Sequence, residues 1–217
     1  MSSLSSSCCV LQFAKLPELL KVKTRMQPVL SAEESVQLHS ALTRHTYSTL
    51  ATGDEWGYEL WVGARGAAPD FFDLLQADSE SPIRIQQGRD LGERMGHALA
   101  DVLSRYQYAV IVGSDCPGLN AASISKLFEQ LRQGQDGALI PATDGGYVAL
   151  GLARISPFIF EGVDWGSASV LEQTLARFRT LQWNVHRAPA MSDIDRPEDL
   201  PLLSGYDWGE AWSTGGG

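Results

Sequence analysis

Cysteine is scarce, with three in 217 residues. The count is odd and Cys8 and Cys9 are adjacent, which argues against a disulfide framework and fits a reducing compartment best. Positive charge is short as well: the formal net charge is −9, so a nucleic-acid backbone is a poor partner without a strong basic patch. No apolar run approaches the roughly 18 residues that span a bilayer. The opening MSSLSSSCCVLQFAK has no basic stretch ahead of its apolar one and is not read as a signal peptide, so a cytoplasmic location is expected. GxxxxGK[ST] and GxGxxG are both missing, which removes the P-loop and the dinucleotide fingerprint. His39, His45, His97 and His186 show no metal-binding spacing and are read as surface or satisfied structural residues. Cys116 has no histidine or basic neighbour in sequence and reads as a small filler.

What is present is an alternation of apolar runs with helical periodicity. CCVLQFA (8–14), YELWVGA (58–64), PIRIQQ (82–87), YAVIVG (108–113), GALIPA (137–142) and YVALGLA (147–153) read as strands, and VHRAPAM (185–191) as extended chain. Ser31 with Glu34 three residues on is a capping box that opens a first helix. A short helix is expected from Pro69, and longer ones from Asp90, after Asn120 and around Val170 to Leu181, the last capped by Ser167. The length suits one domain, 1–217, with a flexible Gly-rich tail from about 205. The alternation predicts an α/β fold with a mostly parallel sheet.

In such sheets ligands gather beyond the carboxyl ends of the strands. Asp115 stands just past YAVIVG, with Pro117 stiffening the exit; alone it could equally cap a turn. Lys15, Lys21, Lys23 and Arg25 collect between the first strand and the first helix, either as a solvated loop or as a phosphate seat built from side-chain charge. Asp144-Gly145-Gly146-Tyr147 makes a competent tight turn. Its glycines would also let backbone amides approach a ligand, while Asp144 could accept from sugar hydroxyls. Asp193 and Asp195 share a face if the segment is extended; Asp195 could instead cap a helix that has Pro197 and Glu198 in its first turn. Asp164 and Trp165 pair an acid with an aromatic suited to a sugar ring, although Trp165 serves equally as a core or lid residue.

FAKLPELLKVKTRMQPVL, GRDLGERM, VGSDCPGL, DGGYVALGL, VDWGSASVLEQTL and DIDRPEDL occur in an order that resembles the bacterial GT-A-type radical-SAM/selenodomain-associated glycosyltransferases, within the nucleotide-diphospho-sugar transferase superfamily. The similarity runs from about Phe13 to Leu200. It implies a Rossmann-like GT-A fold with helices on both faces of the sheet, Mg²⁺ or Mn²⁺ as cofactor, and a nucleoside diphosphate sugar or NTP plus a small-molecule acceptor as partners. By the resemblance, Asp115 and Asp195 hold the metal, and Lys15, Lys23 and Arg25 face the nucleotide phosphates. Asp90 and Arg94 are further nucleotide or phosphate contacts, and Asp144, Gly145, Gly146, Tyr147 and Trp165 lie on the substrate side. Asp115, Lys23 and Asp164 would carry the chemistry, Asp164 as base.

Glycosyl transfer is the reading adopted, with guanylyl- or cytidylyl-type nucleotidyl transfer as the alternative and a degenerate non-catalytic nucleotide-binding module as a further one. The last is raised by Leu19-Leu20, which stand where the family carries Pro-Gly. Two leucines are expected not to adopt positive φ cheaply and to seek an apolar neighbour, so that the loop packs aside or remains disordered.

Overall fold

In the first strand, β1 (Cys8–Ala14), side chains alternate between the two faces of a sheet, as a period of two requires. Cys8, Val10 and Ala14 enter one buried cluster, while Cys9 and Leu11 enter another on the opposite face. The computed structural model describes residues 7–27, 29–51, 55–63 and 81–213. The short helix expected from Pro69 lies outside them.

Six further strands join β1: β2 (Gly57–Val62), β3 (Ile83–Ile85), β4 (Tyr108–Val112), β5 (Gly137–Pro141), β6 (Tyr147–Leu152) and β7 (Val185–Arg187). The sheet order is β3-β2-β1-β4-β6-β5-β7, and every neighbouring pair is parallel except those made by β6, which runs antiparallel to both β4 and β5. Helices α1 (Ala32–Leu50) and α3 (Ala121–Arg132) pack on the first cluster, through Tyr47 and Leu50 and through Ile124, Leu127, Phe128 and Leu131. On the other face α2 (Leu91–Leu103) contributes Met95, Ala98, Leu99 and Val102, and α4 (Val170–Thr180) contributes Leu171 and Phe178. The α/β class, the mostly parallel sheet and the helices on both faces are as expected.

Capping chemistry explains the helix starts. Ser31 and Glu34 close a reciprocal capping box on α1, and Asn120 does the same with Ser123 on α3. At α4 the N-cap is Ser169, which makes no side-chain cap bond; Ser167 instead turns back to donate to the carbonyl of Asp164 at 2.8 Å. The segment after Asp195 is a 3-10 helix (Pro197–Gly205). Its entry is held by Asp199, whose Oδ2 accepts from the amides of Asp195 (2.9 Å) and Arg196 (2.7 Å), so Asp195 does not cap it.

A third cluster joins Met26 and Leu30 to Leu38 and Leu42 of α1 and to Ile194, Leu200 and Leu203, with Tyr206, Trp208 and Trp212 packed against it. Of the segment expected to trail off, residues 206–213 are described, and Tyr206, Trp208 and Trp212 pack on this cluster. Trp208 Nε1 donates to His45 Nδ1 (3.1 Å), and a short helix α5 (Glu210–Ser213) follows.

A polar network crosses the sheet beneath the site. Gln12, fully buried on β1, donates to Ser114 Oγ (2.8 Å) and to the Thr43 carbonyl (3.0 Å), and accepts from the Tyr58 hydroxyl. Ser114 in turn donates to the Phe13 carbonyl (2.9 Å). Every polar atom of the amide is used, so the exit of β4 is tied to β1 and α1 immediately before Asp115.

Candidate active site

The chain runs from β1 outward to β2 and β3, then returns to β4 on the other flank of β1. Strand order therefore reverses between β1 and β4, the position where α/β sheets form a ligand crevice. A cavity of about 350 Å³ opens there, and a neighbouring one of about 210 Å³ shares Arg25, Asp144, Gly166, Ser167, Asp193 and Asp195 with it.

One end of this cleft is acidic. The amide of Ile194 donates to the carbonyl of Asp115 (2.8 Å), so the segment carrying Asp193 and Asp195 is fastened beside the exit of β4. That backbone bond brings together residues some 80 positions apart in sequence. Asp144 completes the group from the turn between β5 and β6, one oxygen accepting from the Gly146 amide at 2.9 Å. Burial, and then the charges of Asp144, Asp115 and Asp195, push the Asp193 carboxyl up to about 6.

The basic loop answers these acids directly. Lys23 Nζ lies 2.7 Å from Asp115 Oδ1, and the ammonium also donates to the Ile194 carbonyl. The Lys23 side chain is only 3% exposed, whereas that of Asp115 is 44% exposed to the cleft. Arg25 Nη1 donates to Asp195 Oδ2 at 2.6 Å. Lys23 caps and Arg25 sits within a 3-10 turn (Thr24–Met26) whose Met26 is buried in the third cluster, which anchors both cations at once. Desolvation works against ionisation of Asp115, but Lys23, His39 and Lys15 outweigh it and hold the carboxyl below its ordinary value.

His39 is the residue that sequence spacing missed. It projects from the buried face of α1, its Nε2 donating to the Lys15 carbonyl (3.0 Å) and its Nδ1 4.0 Å from Asp115 Oδ1. Desolvation, aided by Lys23 and Lys15, lowers its pKa despite Asp115 and the bond to the Lys15 carbonyl. Its signal was its place on the face shared with Leu38 and Leu42, which points inward.

The other end of the cleft is apolar, with Phe13, Leu91, Met95, Ile111, Tyr147 and Trp165 in its walls. Trp165 is seated on α2: a Cβ at Gly92 would come within 2.8 Å of the indole. Tyr147 offers its ring, while its hydroxyl is buried. Leu91, in the first turn of α2, is 44% exposed at the cleft.

Several expected site residues do other work. Asp90 caps α2, its Oδ1 accepting from the Glu93 amide (2.9 Å), and Arg94 donates to the Gly88 carbonyl (3.1 Å); neither lines the cleft. Asp164 lies outside the cleft wall although its neighbour Trp165 is in it, because its backbone closes the turn to Ser167. Lys15 is exposed and serves through its carbonyl and its charge, and Lys21 pairs with Glu18. Gly145 makes room for this chain's own backbone, since a Cβ there would stand 2.1 Å from the Ala168 carbonyl oxygen. Leu19 and Leu20 are 53% and 67% exposed, and Leu20 takes φ 62°. The expectation that they avoid positive φ and pack against a neighbour fails: the loop keeps a left-handed residue at the position where the resembled family has glycine, and accepts the steric cost.

Asp115 and Asp195 are hard oxygen donors of the kind Mg²⁺ and Mn²⁺ take, and both line the cleft. Among the described residues no group of three or more His, Cys, Asp or Glu side chains is placed to hold a metal ion. A cation held by this pair would have to draw its remaining ligands from substrate and water, as Mg²⁺ commonly does.

Solved structures of related fold include the following proteins. The crystal structure of a "putative nucleotide-diphospho-sugar transferase from Desulfovibrio desulfuricans G20" superposes with a TM-score of 0.84 at 29% identity, covering 93% of this chain and 88% of that one. The 4-diphosphocytidyl-2C-methyl-D-erythritol synthase of Anaerococcus prevotii DSM 20548 shares the fold at a TM-score of 0.60 and 11% identity, over 93% and 98% of the two chains. A cytidylyltransferase from Leptospira borgpetersenii serovar Hardjo-bovis (strain JB197) does so at 0.55 and 12%, over 91% and 85%. No curated protein matches the sequence. The family profile described as "Uncharacterized protein conserved in bacteria (DUF2064)" matches residues 46–167, more than half of the chain, and the protein belongs to that family.

Proposed function

We propose that this cleft transfers a sugar from a nucleoside diphosphate donor to a small-molecule acceptor, with a divalent cation at Asp115 and Asp195. The observation that carries the reading is the Ile194 to Asp115 backbone bond, which sets two acids and two cations at the strand-order reversal. The 29%-identical transferase structure and the resemblance to selenodomain-associated glycosyltransferases support it. A cation held there would neutralise charge gathering on the departing diphosphate. Lys23 and Arg25, released from their carboxylates, would bind the phosphate oxygens, and Gln12 through Ser114 keeps the Asp115 backbone in place. Trp165, backed by Gly92, offers a flat apolar face to a sugar ring. The proton of an attacking hydroxyl would pass to Asp144, which faces the cleft where Asp164 does not.

Nucleotidyl transfer is the second reading. It is favoured by the pairing of Lys23 and Arg25 with the two acids, which suits an α-phosphate under attack as well as a leaving diphosphate. A non-catalytic module has only Leu19-Leu20 in its favour.

Replacement of Lys23 or Arg25 by alanine is expected to weaken a nucleoside diphosphate by about 1.5 to 3 kcal/mol, the range for charge-assisted hydrogen bonds, and to leave the bare nucleoside nearly unaffected. Calorimetry with CDP and cytidine, and with GDP and guanosine, checks this. Equal losses for nucleotide and nucleoside would place the effect in folding and remove both residues from phosphate recognition.

A further inference from the structure

Where the chain leaves β4 it is held at two points. The Ile194 amide donates to the Asp115 carbonyl (2.8 Å), and two residues on, the carbonyl of buried Pro117 accepts from His45 Nε2 of α1 (3.0 Å). The other side of the same imidazole is engaged from the far end of the chain, since Trp208 Nε1 donates to His45 Nδ1 (3.1 Å). An indole N–H only donates and a peptide carbonyl only accepts, so the two partners together require the tautomer with its proton on Nε2 and a lone pair on Nδ1. One ring thus carries the position of Trp208 to Pro117.

Packing supports the same relay. The imidazole meets Tyr206 edge-on, with 5.2 Å between ring centroids, and Trp208 at 5.0 Å. Tyr206, Trp208 and Trp212 rest on the third cluster, which also contains Ile194. The segment therefore bears on both points that hold the Asp115 exit, on Pro117 through His45 and on Ile194 through the cluster beneath it. Its return is set at Gly209, a buried residue whose amide donates to the Tyr206 carbonyl (2.8 Å) and where a Cβ would strike the carbonyl oxygen of Leu203. None of His45, Trp208 and Gly209 lines the cleft.

Resting on the proposed function for the role of Asp115, we infer that the aromatic segment 206–212 is a strap that sets the position of that acid, with His45 and Trp208 as positioning residues. The strap acts through backbone: Trp208 fixes the ring, the ring fixes the Pro117 carbonyl, and the short rigid run Asp115-Cys116-Pro117 passes the constraint to the carboxylate.

The test is amide hydrogen exchange followed residue by residue, with the Ile194 amide reporting the bond to Asp115 and the Leu99 and Leu139 amides reporting the sheet and its helices. His45→Ala is expected to speed exchange at Ile194 by about ten-fold, the effect of losing a hydrogen bond and its ring contacts, and to change Leu99 and Leu139 much less. His45→Gln restores one donor and one acceptor and should bring Ile194 back to within about two-fold of the wild type. Gly209→Ala displaces the strap without touching His45 or Trp208, should act as His45→Ala does, and keeps the test open if that variant does not fold. Unchanged exchange at Ile194 in both His45→Ala and Gly209→Ala would overturn the inference. So would a rise shared equally by Leu99 and Leu139, which marks a loss of general stability, or a His45→Gln variant as impaired as the alanine. Because the readout needs no ligand, a failure of the proposed function would show separately, as absence of nucleotide binding by a wild type whose strap behaves as described.

Discussion

Asp115→Asn is expected to cut metal-dependent nucleotide binding by more than about 100-fold, since even the outer partners of a metal are worth about 10- to 100-fold. The same substitution also costs stability, because it strips the charge partner from a lysine that is 3% exposed. Breaking a fully buried pair costs about 3 to 5 kcal/mol; with Asp115 44% exposed, about 2 to 3 is expected. Binding and stability are separated by the double variant Lys23→Met with Asp115→Asn, which leaves no unpaired ammonium. Urea denaturation should show most of the stability restored, while calorimetry should show binding still absent. A double variant that recovers Mn²⁺ binding would remove Asp115 from the metal site.

Gly145→Ala is the second large effect. A Cβ there meets the Ala168 carbonyl oxygen at 2.1 Å, and φ of 97° is itself disfavoured for alanine. Neither atom belongs to a flexible side chain, so the Trp165 to Ser169 loop has to move. The Leu171 amide bond to the Gly145 carbonyl (2.9 Å) is strained with it. We expect a loss of about 3 kcal/mol or more. Gly146→Ala meets nothing closer than Asp144 Oδ1 at 3.3 Å, and should cost about 1 kcal/mol or less. Denaturation midpoints of the two variants check this; equal and small losses would return Gly145 to the role of an open ligand-facing amide.

Local chemistry is what sequence spacing conveys well. The bounds of β1, the caps at Ser31 and Asn120, and the α/β alternation all depend on residues within a few positions of one another. Asp115 and Asp195 were legible as a pair only through the resemblance, since the bond that joins their segments links residues some 80 positions apart. A similar distance hid His39, which reaches Asp115 from α1, and apolar runs alone do not give strand direction, which hid the antiparallel β6 between β4 and β5. Asp90 was open to reading: with Glu93 three residues on it has the pattern of a cap, and capping is what it does. Lys23 shows how a charge run misleads. Four basic residues in one loop look solvated, yet one is buried by the acid it faces and another is spent on Glu18.

Titration calorimetry with UDP-, GDP-, CDP- and ADP-sugars and with free NTPs, each with and without Mn²⁺, tests the central claim most directly. The account predicts binding of at least one of these donors that requires Mn²⁺ and is lost in Asp195→Asn. Absence of binding across the whole series, or binding indifferent to both Mn²⁺ and Asp195, would contradict it.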